Sequence, residues 1–218
     1  MIVWLATHRC GALLAVLCLL ILADPIAGGL AGLGSFVLTI LLLIALGLTA
    51  WSLRVRPSVL LMLGVLGVLA MAVIFEPPAS RHWRWVVAVA ALTAFTAIVT
   101  VCLLQYVLNL EAITADKVFG AVDAYVLLGF TFASLFSFLQ LVQPNAFRAT
   151  IPGTDGALSW VELMYFSFTV LTSTGFGEIT PATSMARSLI VIEQIVGVMY
   201  VAFLIARLAN LYGNERRR

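Results

Sequence analysis

Long apolar runs that carry no charge constrain this chain more than any other feature. Residues 10–23, 35–51, 58–75 and 85–110 contain no acid or base, and residues 124–142 are rich in Phe and Leu. In hydrocarbon a backbone must satisfy its own N–H and C=O groups, so such runs become helices. Composition points the same way. The 218 residues are 63% hydrophobic and 10% charged, where a soluble domain carries about 25% charged residues. The expected class is an all-α membrane protein whose surface is covered by a lipid bilayer. The eleven arginines and one lysine, Lys117, lie mostly between the apolar runs. A nucleic-acid binder would gather them on one polar face, so no nucleic-acid partner is expected. Cys10, Cys18 and Cys102 sit in or beside apolar runs without metal-ligand spacing and read as small packing residues.

In chain order, His8 and Arg9 precede the first apolar run, and Asp24-Pro25 follow it. This is read as a first membrane helix extendable to about residue 28. A signal peptide has similar parts, so whether residues 1–23 are retained stays open. A glycine-rich turn over 25–34 follows, without the spacing of a nucleotide loop. Spans are then expected at 35–51, 58–75, 85–110, 124–142 and 184–212. The last of the first four is long enough to cross about 30 Å of hydrocarbon. Arg54, Arg56 and Pro57 fill one loop, residues 76–84 the next, and Asp116 and Lys117 a polar connector over 111–119. A polar loop at 144–158 carries Arg148, Pro152 and Asp155. The chain divides into an N-terminal region, 1–110, and a C-terminal region, 111–218.

Ser159-Trp160-Val161-Glu162 fits the capping box S-x-x-E. A helix starting there and ending near Thr172 is too short to span. It must enter partway and stop, with irregular backbone after it, an arrangement tolerated at membrane depth only inside protein or along a water-filled path. The next residues are Thr172-Ser173-Thr174-Gly175-Phe176-Gly177-Glu178-Ile179-Thr180-Pro181. Gly175 and Gly177 alternate with Thr174 and Phe176, and glycine permits the positive φ that lets successive carbonyls point to one axis.

This string resembles the selectivity-filter loop of the potassium-channel pore domain, usually T-V-G-Y-G-D with proline shortly after. The resemblance is strong over 160–212, weaker over 115–143, and only architectural over 1–110. It implies six transmembrane helices plus one re-entrant pore helix and selectivity-filter loop between the fifth and sixth. The outer helix would cover about 119–143, the pore helix about 159–172, the filter 173–177 and the inner helix about 184–212. Ser173, Thr174, Gly175, Phe176 and Gly177 would form the ion-binding filter. Potassium would sit at Ser173, Thr174, Gly175 and Phe176, with the Ser173 hydroxyl as innermost ligand. Phe176 stands at the tyrosine position and should pack against Tyr165 and Phe166. Glu178 stands at the outer mouth. One loop per chain implies a homotetramer. No catalytic residue and no cofactor follow, potassium being the conducted species.

In the last span the family's hinge glycine corresponds to Gly197, with close packing against the pore helix as the other reading. Val201, Ile205 and Ala209 could form an apolar constriction below it. Glu193, one turn before Gly197, lies either behind the filter, bonded to Ser167 or Thr169, or in a cavity-facing ring of four acids. Asp123 is expected at an interface, paired with a basic side chain. The fourth run lacks the basic residues a voltage sensor needs, so voltage gating is not expected.

The expected function is a potassium channel. A weakly selective cation channel is the alternative, because Ser173 and Thr174 replace the usual Thr and Val. An intramembrane aspartyl protease would need two aspartates meeting in the membrane, whereas the acid of the loop is Glu178 with no intramembrane aspartate near it in the sequence, and a potassium-uptake subunit would carry four loops in one chain. Lys and Arg in the loops favour both termini in the cytoplasm, and likeness to bacterial six-span proteins suggests the inner (plasma) membrane. With no regulatory domain visible after residue 212, a gating signal is expected through the spans, the 111–119 connector or an unidentified partner. The stimulus and the role of the first four spans stay open.

Overall fold

The computed structural model describes residues 9–27, 33–52, 55–71, 82–109, 115–150 and 157–215. Among them run helices α1 (Arg9–Ala27), α2 (Leu33–Ser52), α3 (Pro57–Met71), α4 (His82–Leu108) and α5 (Ala115–Val142). Strand β1 (Phe147–Ala149), helix α6 (Trp160–Leu171), strand β2 (Ile179–Pro181) and helix α7 (Ser184–Glu215) complete the order. Among the described residues three segments, Trp83–Leu108, Asp116–Val142 and Ser184–Arg207, are long and apolar enough to cross a membrane. The glycines of 28–32, the loop over 72–81, the connector at 110–114, Pro152, Asp155 and the arginines of 216–218 lie outside the described residues, as do residues 1–8.

One apolar core joins the N-terminal helices to the C-terminal ones. Leu13, Leu17 and Leu20 of α1 meet Leu42, Leu43 and Leu46 of α2, Leu63 of α3, Phe95, Val99 and Leu103 of α4, and Leu127 and Phe130 of α5. Buried positions recur at three- and four-residue spacing, the period that puts them on one helix face. The α4–α5 pair is further joined by the hydroxyls of Thr100 and Thr131, 3.2 Å apart.

The structure corrects four boundaries. Helix α1 runs through Pro25 to Ala27 instead of breaking there; a proline in the last turn sacrifices only one ladder bond of a helix about to end. Helix α5 begins at Ala115, so Asp116 and Lys117 belong to its first turn and not to a connector. The Asp116 carboxylate accepts the Cys10 amide of α1 at 2.9 Å and the Tyr106 hydroxyl of α4 at 3.1 Å. An acid in a first turn also complements the helix dipole. Lys117 is 5% exposed, its ammonium 5.9 Å from the Tyr106 ring centroid. The 144–158 loop holds strand β1, which pairs antiparallel with β2 in the register Phe147–Pro181, Arg148–Thr180 and Ala149–Ile179. Finally α7 continues to Glu215, past the expected end at 212.

A second cluster positions the loop region. Phe136 is fully buried, 5.6 Å from Phe166 and 5.2 Å from Phe147 between ring centroids. Leu158, Leu163, Val170, Ile179 and Ile190 close around these rings. The core of this part is therefore built from α5, α6, the two strands and the first turns of α7.

Candidate functional site

The site is built on α6. Its start is fixed twice. The Ser159 hydroxyl accepts the Glu162 amide at 3.3 Å, and the Glu162 carboxylate accepts the Ser159 amide at 2.6 Å, completing the capping box. One residue earlier, the Gln140 side chain of α5 donates to the Leu158 carbonyl and accepts the Leu158 amide, both at 2.9 Å. Twelve residues of helix extend about 18 Å, well short of a bilayer's hydrocarbon core of about 30 Å.

A helix leaves its last four carbonyls without intrahelical partners. Here all four are engaged. Phe168 O accepts the Thr172 amide at 3.1 Å and Thr169 O the amides of Thr174 and Gly175 at 2.9 and 3.1 Å. Val170 O accepts the Ser173 amide at 2.9 Å, and Leu171 O accepts the Tyr125 hydroxyl of α5 at 3.2 Å. The loop is thereby folded back on the end of α6.

Beyond that anchor the backbone alternates in handedness. Ser173, Gly175 and Gly177 have φ of 57°, 55° and 86°, whereas Thr174 and Phe176 between them do not have positive φ. Glycine adopts this region freely; a serine there costs roughly 1–2 kcal/mol, which its amide bond to Val170 helps to offset. Among the described residues none donates a hydrogen bond to the carbonyls of residues 173–177. Residues 172–178 are exposed in the single chain. The Thr174 hydroxyl lies 2.8 Å from that of Thr172.

The outer end of the loop is stitched down. The Glu178 carbonyl accepts the Thr150 amide at 2.8 Å, just beyond the β1–β2 ladder, and the Ala182 amide donates to Ala146 O at 2.8 Å on the other side. The Tyr165 hydroxyl donates to the Glu178 carboxylate at 2.7 Å. That bond to an anion pushes the Tyr165 hydroxyl up from its ordinary value. The rings of Tyr165 and Phe176 stack at 6.3 Å and 3°. Phe176 is still 65% exposed. The expected second contact is not made, since Phe166 packs with Phe136 and Phe147 in the core instead.

Helix α7 closes the site from behind. Glu193 is 0% exposed and faces α6, with one carboxyl oxygen 2.5 Å from the Ser167 hydroxyl. The same hydroxyl is 2.8 Å from the Gly129 carbonyl of α5. A cavity-facing ring of acids does not fit a side chain buried within one chain. Gly197 lies against the end of α6: a Cβ there would come 2.2 Å from the Leu171 carbonyl oxygen. Val201 and Ile205 are exposed on α7; the Ala209 side chain lies outside the described residues.

Asp123 departs from expectation. It is fully buried, and neither carboxyl oxygen has a hydrogen-bond partner among the described residues; no basic side chain pairs with it there. Two tyrosines lie near this end. The Tyr200 hydroxyl donates to Ala121 O at 2.6 Å, and its ring stacks on Tyr125 at 5.6 Å. Arg207 of α7 donates to the Val107 and Asn109 carbonyls at the end of α4. Gln140, Tyr125, Gly129 and Arg207 are positioning residues that sequence reasoning did not single out. For Gln140 and Tyr125 the available signal was a polar side chain inside an apolar run.

The residues that assemble this arrangement coincide with a family match. Residues 121–214, a little under half of the chain, match the family model Ion_trans_2, described as Ion channel. Comparison with curated proteins and with solved structures gives no match. The matched segment runs from α5 through α6 and the glycine loop into α7, so this part of the chain is similar to an ion-channel pore, which points to a channel and away from an enzyme.

Proposed function

We propose that four copies of this chain form a channel that passes potassium down its electrochemical gradient through a backbone-carbonyl filter at residues 173–177. The observation that carries the reading is the loop itself. Its φ alternates in sign at Ser173, Gly175 and Gly177, and its carbonyls accept no bond among the described residues. Such carbonyls can replace the water around a desolvated cation. Tetramerisation is supported by what a single chain leaves uncovered: the loop is exposed, and so are Val191, Ile192, Ile195, Val198 and Met199 on α7. Glu178, held by Tyr165, would add negative charge at the outer mouth. The membrane would contain six spans and the re-entrant α6, with both termini in the cytoplasm of a cell whose plasma membrane houses the protein. Gating would not depend on voltage, because α4 carries no row of basic residues.

A second reading, weak selectivity between potassium and sodium, is favoured by one feature. Ser173 is a non-glycine residue at positive φ and lacks the methyl that stiffens the usual threonine, so the innermost site has more freedom. The test is the reversal potential of the purified, reconstituted protein under a potassium/sodium gradient. A value near the potassium equilibrium potential supports the first reading, a value near zero the second, and absence of current overturns both.

A further inference from the structure

The Ser167 hydroxyl has one proton but two oxygens within bonding distance. One is the Gly129 carbonyl oxygen at 2.8 Å, which can only accept. The other is a Glu193 carboxyl oxygen at 2.5 Å. Were Glu193 a carboxylate, both neighbours would be acceptors competing for one hydrogen, and one of the two contacts would be a bare oxygen–oxygen approach. A neutral carboxylic acid removes the conflict. Its O–H donates to Ser167 Oγ, and the serine O–H passes on to Gly129 O. The second Glu193 oxygen is buried without a partner among the described residues. As the carbonyl oxygen of a neutral acid it costs far less than as half of an unpaired buried charge.

We propose that Glu193 is a positioning residue that works in its protonated form, as the donor end of a chain Glu193–Ser167–Gly129 that ties α7, α6 and α5 together behind the loop. The chain joins three helices through side chains that face no solvent: Glu193 and Ser167 are both 0% exposed. It sits one turn from Gly197, where α7 touches the end of α6. Loss of the proton would leave an unpaired charge and an acceptor–acceptor contact at this seam. The groups that face Glu193 are few. Ser167 on α6 does not titrate in the usual range, and the Thr169 hydroxyl is turned to Phe166 O at 2.7 Å. On α5 the Tyr125 hydroxyl lies within electrostatic reach but donates to Leu171 O. None of these is a cation that would favour a carboxylate.

The test uses the full-length protein reconstituted in bilayers and needs no assumption about what the pore conducts. Infrared spectroscopy at neutral pH should show the C=O stretch of a buried carboxylic acid that is missing from Glu193→Gln. A spectrum in which that substitution removes only a carboxylate band overturns the proposal. Because an amide N–H donates like the acid O–H, Glu193→Gln should keep thermal stability and ion flux within about twofold of the parent. Failure of that variant to assemble also overturns the proposal. Glu193→Ala, which removes the donor and leaves a cavity, should lower flux by about tenfold, the factor equivalent to about 1.4 kcal/mol. At alkaline pH the parent should lose more stability than Glu193→Gln, which keeps only the loss due to other groups; equal loss in both refutes it. If the reconstituted protein passes no ion, the spectroscopic and stability results still decide the proton's place.

Discussion

Replacing Gly197 by alanine separates a packing role from a hinge role. A Cβ at this position would stand 2.2 Å from the Leu171 carbonyl oxygen and 3.1 Å from both its carbonyl carbon and its Cδ1, where ordinary contact begins near 3.4 Å. The nearest atom is backbone at the end of α6, not the tip of a flexible side chain, so α7 and α6 must part by more than an ångström. Overpacking of this kind costs about 1–3 kcal/mol. The same carbonyl accepts the Tyr125 hydroxyl, and losing that bond adds roughly 1 kcal/mol. Against this, alanine in a helix interior gains up to about 1 kcal/mol over glycine. The net expectation is a loss of about 1–3 kcal/mol, which for a chain of this size lowers the unfolding midpoint by about 2–4 °C per kcal/mol. The assay is thermal unfolding in detergent followed by near-ultraviolet circular dichroism, alongside Gly47→Ala. Gly47 lies inside α2 with nothing within 4 Å of its added Cβ, so that variant should be neutral or slightly stabilised. A Gly197→Ala protein as stable as the Gly47→Ala control, but with altered open probability, would refute the packing argument and restore the hinge.

Two further outcomes test the start of α6 and its contact with the loop. Ser159→Ala removes the hydroxyl that accepts the Glu162 amide and should cost about 1 kcal/mol, the usual worth of an N-cap; chemical denaturation in mild detergent measures it, and no change would mean that the Gln140–Leu158 pair alone fixes the helix start. The raised Tyr165 hydroxyl gives a pH dependence with a definite sign. Because its neutral form is held by Glu178, its contribution is complete below the ordinary value of 10.0 and is lost as pH rises through the higher folded value. The parent should therefore lose more stability at alkaline pH than Tyr165→Phe does, and identical alkaline profiles would exclude the contact.

Local chemistry made much of the C-terminal half legible. Ser159 and Glu162 announce a helix start because the capping box satisfies two backbone donors with residues three apart. The brevity of the apolar stretch after it demands a half-length helix. Gly175 and Gly177 mark a backbone that needs positive φ. None of these depends on distant residues. The charge-free runs likewise dictate helices, because hydrocarbon permits little else.

What the tertiary structure decided are the contacts between residues far apart in the chain. The two strands are three residues each, too short to announce themselves. They exist because Phe147 and Ile179 share the Phe136 cluster. Ser173 takes positive φ without being glycine, since its conformation is set by the loop's anchorage on the end of α6. Phe166 looked like a partner for Phe176, but the rings of α5 and β1 claim it. Asp123 looked like half of an ion pair, yet no cation reaches it among the described residues. Glu193 makes the contrast sharpest. The sequence by itself placed an acid one turn from a glycine in an apolar helix and left its direction open. Only packing brought α5, α6 and α7 close enough for one serine hydroxyl to meet both a carbonyl and that acid, and the count of protons among three oxygens then determines what the side chain contributes.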